Sequence, residues 1–250
     1  MKFLPTTKEE MKSLGWDSID VLLISGDTYL DTSYNGSALV GKWLVEHGFK
    51  VGIIAQPEVD VPDDITRLGE PNLFFAISGG CVDSMVANYT ATKKRRQQDD
   101  FTPGGENNKR PDRAVLIYSN MIRRFFKGTT KKIVISGIES SLRRITHYDY
   151  WTNKLRKPIL FDAKADILSY GMGEISMLQL ANALKNGEDW QNIRGLCYLN
   201  KEPKEDYLSL PSHAECLADK DKFTEAFHTF YLNCDPITAK GLCQKCDDRY

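Results

Sequence analysis

Glycine beside a small hydroxyl or a carboxylate recurs at four places where a strand is predicted to end. These places are residues 25–36, 78–84, 136–139 and 171–174. In an open parallel sheet, ligands bind beyond the carboxyl ends of the strands, where turn amides and helix N-termini meet polar groups. The four turns together predict a polar cleft for a nucleotide-like or corrinoid-like molecule. Ordinary helix capping is the alternative, because Ser, Asp and Gly also stop strands and start helices.

The candidate cleft residues come from these turns and from the polar segment that follows the third one. They are Asp27, Tyr29, Asp31, Gly36, Ser78, Gly79, Gly80, Asp83, Ser84, Gly137, Glu139, Arg143, His147, Gly171, Gly173 and Glu174. The turns contain neither G-x-G-x-x-G nor G-x-x-x-x-G-K-[ST], so a dinucleotide fingerprint and a P-loop are not supported.

The densest polar and aromatic cluster spans residues 139–151. An arginine here could clamp a carboxylate or phosphate, and His147 could act as an acid or base near pH 7. Arg143 and Arg144 project about 100° apart on a helix, so at most one of them faces the cleft. A lone histidine among aromatic residues is more typical of packing. A small hydrolase using Asp27, Glu139 or His147 is a weak hypothesis, since the sequence contains no recognisable nucleophile elbow or catalytic triad.

The six cysteines do not form a metal-binding pattern. Cys243 and Cys246 are spaced as half of a zinc site, but no second pair stands at a familiar spacing. A cluster motif C-x-x-x-C-x-x-C would need cysteine at position 239, where the residue is Ala239. We therefore predict no metal site in this chain. Dispersed cysteines without a secretory signal indicate reduced thiols and a cytoplasmic protein.

Short runs of Val, Ile and Leu alternate with segments of helical spacing, which predicts an α/β fold with a parallel sheet. Several runs lack polar alternation, so helices should cover both faces of a doubly wound, mostly parallel, Rossmann-like sheet. The first crossover helix is expected at residues 36–48 and the last helix near residues 215–232. The predicted strands are residues 19–25, 50–55, 73–78, 114–118, 132–136, 165–170 and 195–199.

Residues 89–113 are polar and contain a Pro-Gly-Gly turn, which predicts a long exposed loop inserted in the sheet. Its basic run, Lys93 to Arg96, could hold RNA or an acidic partner, although such runs are more often a solvated loop. Residues 233–250 show no recognisable strand or helix and are expected to be the start of a linker that follows a domain of residues 1–232.

Composition sets broad limits on function. The 250 residues are 41% hydrophobic and have a net charge of -1. They describe a folded globular protein with no general attraction for nucleic acid. No apolar run approaches the roughly 20 residues that span a bilayer, so we expect no membrane association.

Long segments in one order resemble the N-terminal half of the YgiQ-type radical SAM proteins. They are FLPTTKEEM (3–11), VGIIAQP (51–57), DSMVANYTATKKRR (83–96), TPGG (102–105), RPDRA (110–114), GIESSLRRITHYDYW (137–151), KADILSYGMGE (164–174), LPS (210–212) and DPITAKGL (235–242). The resemblance implies an N-terminal domain similar to cobalamin-binding-like modules, followed by a radical SAM barrel outside this chain. In that barrel three thiolates hold a [4Fe-4S] cluster that chelates S-adenosylmethionine.

The resemblance implies that the cluster and S-adenosylmethionine belong to the full-length protein only, with its own C-terminal radical SAM domain as the partner. A histidine-ligated cobalamin would require D-x-H-x-x-G, and the segment from Asp31 to Gly36 has no histidine. The leading hypothesis is a domain, not catalytic alone, that covers or binds the substrate or cofactor side of the barrel. The alternative is an autonomous binding module for a nucleotide, a corrinoid or RNA.

Overall fold

The computed structural model describes residues 3–31, 35–235 and 237–250. Thr32, Ser33 and Tyr34 of the first predicted turn lie outside these residues, as does Pro236 of the predicted linker. The strands are β1 (Val21–Ser25), β2 (Val51–Ala55), β3 (Phe74–Ser78), β4 (Lys132–Ser136), β5 (His147–Asp149), β6 (Lys154–Arg156), β7 (Ile167–Ser169), β8 (Leu196–Tyr198), β9 (Leu208–Leu210) and β10 (Leu242–Gln244). The helices are α1 (Lys8–Ser13), α2 (Gly36–Glu46), α3 (Pro62–Thr66), α4 (Ser84–Asn88), α5 (Ala114–Phe125), α6 (Gly137–Ser141), α7 (Ile159–Ala163), α8 (Glu174–Asn186), α9 (His213–Ala218) and α10 (Lys220–Leu232).

Six strands form the central sheet in the order β2-β1-β3-β4-β7-β8. The first five strands are parallel, and β8 runs antiparallel to β7 at one edge. The chain runs from β1 out to β2 and then returns past β1 to β3, so the winding direction reverses between β1 and β3. The predicted doubly wound, mostly parallel fold is confirmed, and its topological switch point lies at β1 and β3.

Helices pack on both faces of this sheet and bury an apolar core on each. One core includes Ile65 of α3 and Tyr118 of α5. The other includes Leu44 of α2 and Leu180 of α8. All five residues of β1 are buried because both of its faces are covered, which explains its uninterrupted VLLIS sequence. Among the residues the structure describes, no helix combines the length and apolarity needed to cross a bilayer.

The strand predicted at residues 114–118 is wrong, since these residues begin α5. The buried residues of that helix include Ala114, Val115, Tyr118 and Ile122, which recur at the three-to-four-residue spacing of a helix face. A short apolar run is compatible with either element. The continuation of the pattern to residue 125 identifies a helix.

Parts of the inserted segment and of residues 233–250 are more ordered than the sequence indicates. Residues 91–98 are exposed as predicted, but Asp99, Thr102 and Arg110 are buried. After residue 232 the expectation of no strand is wrong, because β10 pairs in parallel with β9. The edge of β9 supplies hydrogen-bond partners that cannot be recognised from the local sequence.

Candidate functional site

A cleft of about 300 Å³ opens at the carboxyl ends of β1, β3, β4 and β7, at the switch point of the sheet. Eight of the predicted site residues line it. They are Asp27, Gly36, Ser78, Gly80, Gly137, Gly171, Gly173 and Glu174. The helices α2 and α8 begin beside the cleft, so these turns lie where ligands bind in open α/β sheets.

Glycines at the switch point allow two turns to approach each other more closely than side chains would permit. A Cβ atom on Gly26 would lie 2.1 Å from the carbonyl oxygen of Gly79. A Cβ atom on Gly80 would lie 2.1 Å from Oδ1 of Asp27, and Gly80 has a φ of +115°. Gly79 does not line the cleft but is confined in the same way by Glu139. The glycines therefore set the separation of the β1 and β3 turns.

A buried ion-pair network connects the β1 and β3 turns to the inserted segment. The side chain of Arg110 is fully buried, and its Nη2 lies 2.7 Å from Oδ1 of Asp27 and 3.1 Å from Oδ2 of Asp99. Its Nη1 donates to the carbonyl oxygen of Gly79. Sequence reasoning missed this arginine, because its position in a polar insertion carries no signal of burial.

The network continues to the β2 turn and fastens the inserted segment to the sheet. Thr102 donates its hydroxyl hydrogen to Asp99 at 2.8 Å. Gln56 donates from Nε2 to Oγ1 of Thr102 and to the carbonyl oxygen of Gly26. The inserted segment thus helps to hold the turns of the site in place.

Three strands end on serines that lie side by side across the sheet. Ser25 is paired with Ser78, and Ser78 with Ser136. All three line the cleft, at the roughly 4.8 Å spacing of neighbouring strands. Ser25 and Ser136 were not among the candidates, although both stand in the predicted turns. Pairing register brings the three hydroxyls into one row.

Three predicted residues serve as helix caps and lie outside the cleft lining. Glu139 is 3% exposed and accepts hydrogen bonds from the backbone N–H groups of Ser84 and Val115. The hydroxyl oxygen of Ser84 accepts from the N–H of Ala114. Asp83 accepts from the N–H of Met85. Burial raises the pKa of Glu139. For these residues the contacts match the capping alternative.

The remaining candidates away from the lining also have partners within the protein. Arg143 forms an ion pair with Asp83. Tyr29 accepts a hydrogen bond from the N–H of Leu4, and Asp31 lies 2.6 Å from Nζ of Lys42. These contacts account for the polar groups through the packing of the domain.

His147 lies in a second, very small cavity behind α6, beside Glu139, Arg143 and Arg156. Its Nδ1 is 3.2 Å from the carbonyl oxygen of Ile145, which assigns the ring hydrogen to Nδ1 in the neutral form. Burial lowers the pKa of His147 to about 4. The ring is therefore neutral at pH 7 and away from the cleft.

The shifted pKa of His147 predicts a pH dependence of stability. The unfolded ring takes up a proton near pH 6.5 and the folded ring only near pH 4, so the free energy of unfolding should fall as pH drops through this interval. The full difference corresponds to about 3 kcal/mol. Urea unfolding at several pH values should show a flatter profile for His147→Gln than for the parent protein.

The exposed residue His228 offers the matched control for this measurement. His228→Gln should keep the parent slope between pH 6.5 and pH 4. Equal slopes for His147→Gln and the parent protein would contradict the assignment of a buried neutral ring.

The basic run in the insertion is largely engaged by the protein itself. Nζ of Lys93 lies 4.7 Å from the centroid of the Tyr150 ring. Arg95 forms an ion pair with Asp112, and Arg96 donates to the carbonyl oxygen of Val86. Within residues 3–31, 35–235 and 237–250, no three His, Cys, Asp or Glu side chains are grouped to hold a metal.

The family model for Radical SAM N-terminal matches residues 3–250. A UPF0313 protein of Fusobacterium nucleatum subsp. nucleatum is 94% identical over 250 residues, covering all of this chain and 44% of the relative. UPF0313 proteins of Thermotoga neapolitana and Methanocaldococcus jannaschii are 50% and 47% identical, each over 99% of this chain and over 44% and 41% of their own lengths. The chain thus spans less than half the length of these relatives.

Among solved structures, the chain is similar to the radical S-adenosylmethionine methyltransferase TsrM from Kitasatospora setae with cobalamin and a [4Fe-4S] cluster bound. The identity is 17%, the coverage is 74% of this chain and 27% of that one, and the TM-score is 0.49. A structure of TsrM with tryptophan substrate and a SAM analogue gives a TM-score of 0.46 at 18% identity, over 73% and 28% of the two chains. Because the family model covers nearly the whole chain, the protein belongs to the Radical SAM N-terminal family, as its YgiQ-type motifs predicted.

Proposed function

We propose that this domain covers the substrate or cofactor side of a radical SAM barrel supplied by the rest of a longer protein, and that its cleft holds the bound group there. The observation that carries the proposal is the exposed apolar rim of the cleft. The rim consists of Ile138, Leu142, Met172 and Ile175, which are 46%, 64%, 85% and 67% exposed.

Exposed apolar side chains around a polar cleft are typical of an interaction surface. Ile138 and Met172 line the cleft itself, so a partner that covered the rim would also close the mouth of the cleft. This chain covers 44% of the Fusobacterium nucleatum relative. In our proposal the rest of that protein supplies a covalently linked partner for the rim. Burial of the rim would exclude water from the bound group.

The rim extends towards α10 through a stacked arginine. The guanidinium carbon of Arg144 lies 4.6 Å from the ring centroid of Tyr170 and 4.3 Å from that of Phe230. Phe227 and Tyr231 of α10 are 57% and 65% exposed, and their rings stack on each other. The proposed contact surface therefore runs from the cleft mouth to this helix.

In our proposal the iron-sulfur cluster and S-adenosylmethionine belong to the remainder of the longer protein. The [4Fe-4S] cluster with S-adenosylmethionine supplies one-electron radical chemistry when bound. The described residues of this chain contain no group that could hold the cluster. No histidine is among the described residues that line the cleft, so these residues do not fit an imidazole-ligated cobalamin. In our proposal this domain binds and orients a group and shields it from solvent.

Hydrogen exchange in the full-length Fusobacterium nucleatum relative tests the proposal. Amides of residues 137–142 and 171–178 should exchange at least about tenfold more slowly in the full-length protein than in its first 250 residues, because the rim is covered there. Residues 62–66 of α3, which pack on the other face of the sheet from α2 and α8, serve as the control and should exchange equally in both proteins. After anaerobic reconstitution, iron should bind the full-length protein only.

A double variant, Met172→Glu with Ile175→Glu, should remove the added protection because charged groups resist burial in an apolar contact. Equal exchange at the rim in the two proteins would overturn the proposal. So would a full-length protein that retains no iron.

A further inference from the structure

Four backbone N–H groups of the switch-point turns are already used by the protein. The N–H of Asp27 donates to Oγ of Ser25, and the N–H of Gly80 donates to Oγ of Ser78. The N–H of Cys81 donates to Oδ2 of Asp27 at 2.6 Å, and that of Gly26 to the carbonyl oxygen of Ser78. Phosphate sites in such turns depend on free N–H groups that point at the ligand. These four N–H groups are therefore not free for a phosphate.

The serine row has the opposite property, because two of its hydroxyl hydrogens are unused. Oγ of Ser25 and Oγ of Ser78 accept the hydrogen bonds just described, and a hydroxyl has one hydrogen to donate besides its acceptor sites. Neither hydrogen has an acceptor among the residues that the structure describes. Ser136 differs, since it donates its hydrogen to the carbonyl oxygen of Ile77. The cleft therefore offers donors to an oxygen or ring nitrogen of a ligand.

The side-chain charges around the cleft disfavour an anion and oppose the attraction that the N-termini of α2 and α8 exert on one. Its acidic lining residues are Asp27 and Glu174, and no Lys, Arg or His is among the described lining residues. Arg110 lies beneath the cleft, between Asp27 and Asp99, so two carboxylates offset its charge. Carboxylate oxygens are instead suited to accept hydrogen bonds from ligand hydroxyls.

Four apolar side chains from one face of the sheet also line the cleft, and we call them the apolar wall. They are Leu23, Val40, Ala76 and Met177. A flat ring would pack on this wall, and the thioether of Met177 is favourable beside an aromatic edge. The volume of about 300 Å³ is at the lower end of the range for small-molecule pockets.

We propose that the cleft takes an uncharged nucleoside-like group, with its hydroxyls at the serine row and its base on the apolar wall, and that it rejects phosphorylated ligands. This inference rests on the proposed function only in taking the cleft as the ligand site. It narrows the expected ligand from nucleotide-like molecules in general to uncharged nucleosides.

Calorimetry on the 250-residue chain with adenosine and adenosine monophosphate tests the inference, because the two probes differ only in the phosphate. Adenosine should bind at least about tenfold more tightly than the monophosphate. Glu174→Gln should narrow that ratio by strengthening monophosphate binding. Equal or tighter binding of the monophosphate, or no binding of adenosine at about 5 mM, would overturn the inference.

Ser78→Ala and Ser136→Ala form a matched pair for the donor argument. Ser78→Ala should weaken adenosine binding about tenfold, and Ser136→Ala less than about threefold, because the hydroxyl hydrogen of Ser136 is already donated. Equal losses would contradict the role of the unused hydrogens. Rim protection in the full-length relative is measured without nucleoside, so this inference can fail while the proposed function stands.

Discussion

Replacing Arg110 with methionine is expected to lower the free energy of unfolding by about 3–5 kcal/mol. The substitution leaves the carboxylates of Asp27 and Asp99 buried without their common cation, and it removes a donor from the carbonyl oxygen of Gly79. Urea unfolding followed by circular dichroism measures the change. Arg110→Lys keeps the charge but not the planar donor geometry, so an intermediate loss is expected.

Arg95→Met provides the control for this variant. Arg95 forms an ion pair with Asp112, but its side chain is 44% exposed. Exposed pairs contribute little, so the expected loss is under about 1 kcal/mol. Similar losses in Arg95→Met and Arg110→Met would show that the buried network does not stabilise the domain.

Gly80→Ala is expected to lower the free energy of unfolding by about 3–5 kcal/mol or to prevent folding. An alanine at a φ of +115° is strained, and its Cβ would lie 2.1 Å from Oδ1 of Asp27 and 2.7 Å from Nη1 of Arg110. The turn after β3 would have to move away from the turn after β1, and the cleft would change shape. Thermal unfolding and urea titration both report the loss.

Gly15→Ala separates the two causes in this prediction. Gly15 also has a positive φ, +70°, but no atom would meet its added Cβ within 4 Å. Gly15→Ala should therefore lower the free energy of unfolding only by the cost of the strained backbone, about 1–2 kcal/mol. If Gly80→Ala lowered the free energy of unfolding no more than Gly15→Ala does, the close approach of the two turns would not contribute to the loss.

Much of the fold could be predicted from the sequence because central parallel strands are apolar without interruption. β1, β2, β3 and β4 lie within their predicted ranges. The prediction failed at α5, where five apolar residues suit either a strand or a helix. It also failed at β10, whose hydrogen bonds come from β9. Local patterns do not contain such long-range pairing.

The site was predictable to the extent that glycine and serine mark strand ends. That signal located Ser78, Gly80 and Gly137 on the cleft. It could not separate lining residues from caps, because Glu139 and Ser84 use the same residue types to satisfy helix N–H groups. It also could not identify Arg110, since burial of a charge depends on partners distant in sequence.

With the binding mode that we propose, the alignment of Ser25, Ser78 and Ser136 has a consequence for how ligand choice can change in this fold. The three positions sit on the rigid scaffold, one per strand, and not on the loops above it. Exchanging a single strand-end residue could therefore retune recognition while every connection in the chain kept its length and path. Specificity in this family is then free to diversify without remodelling the loops.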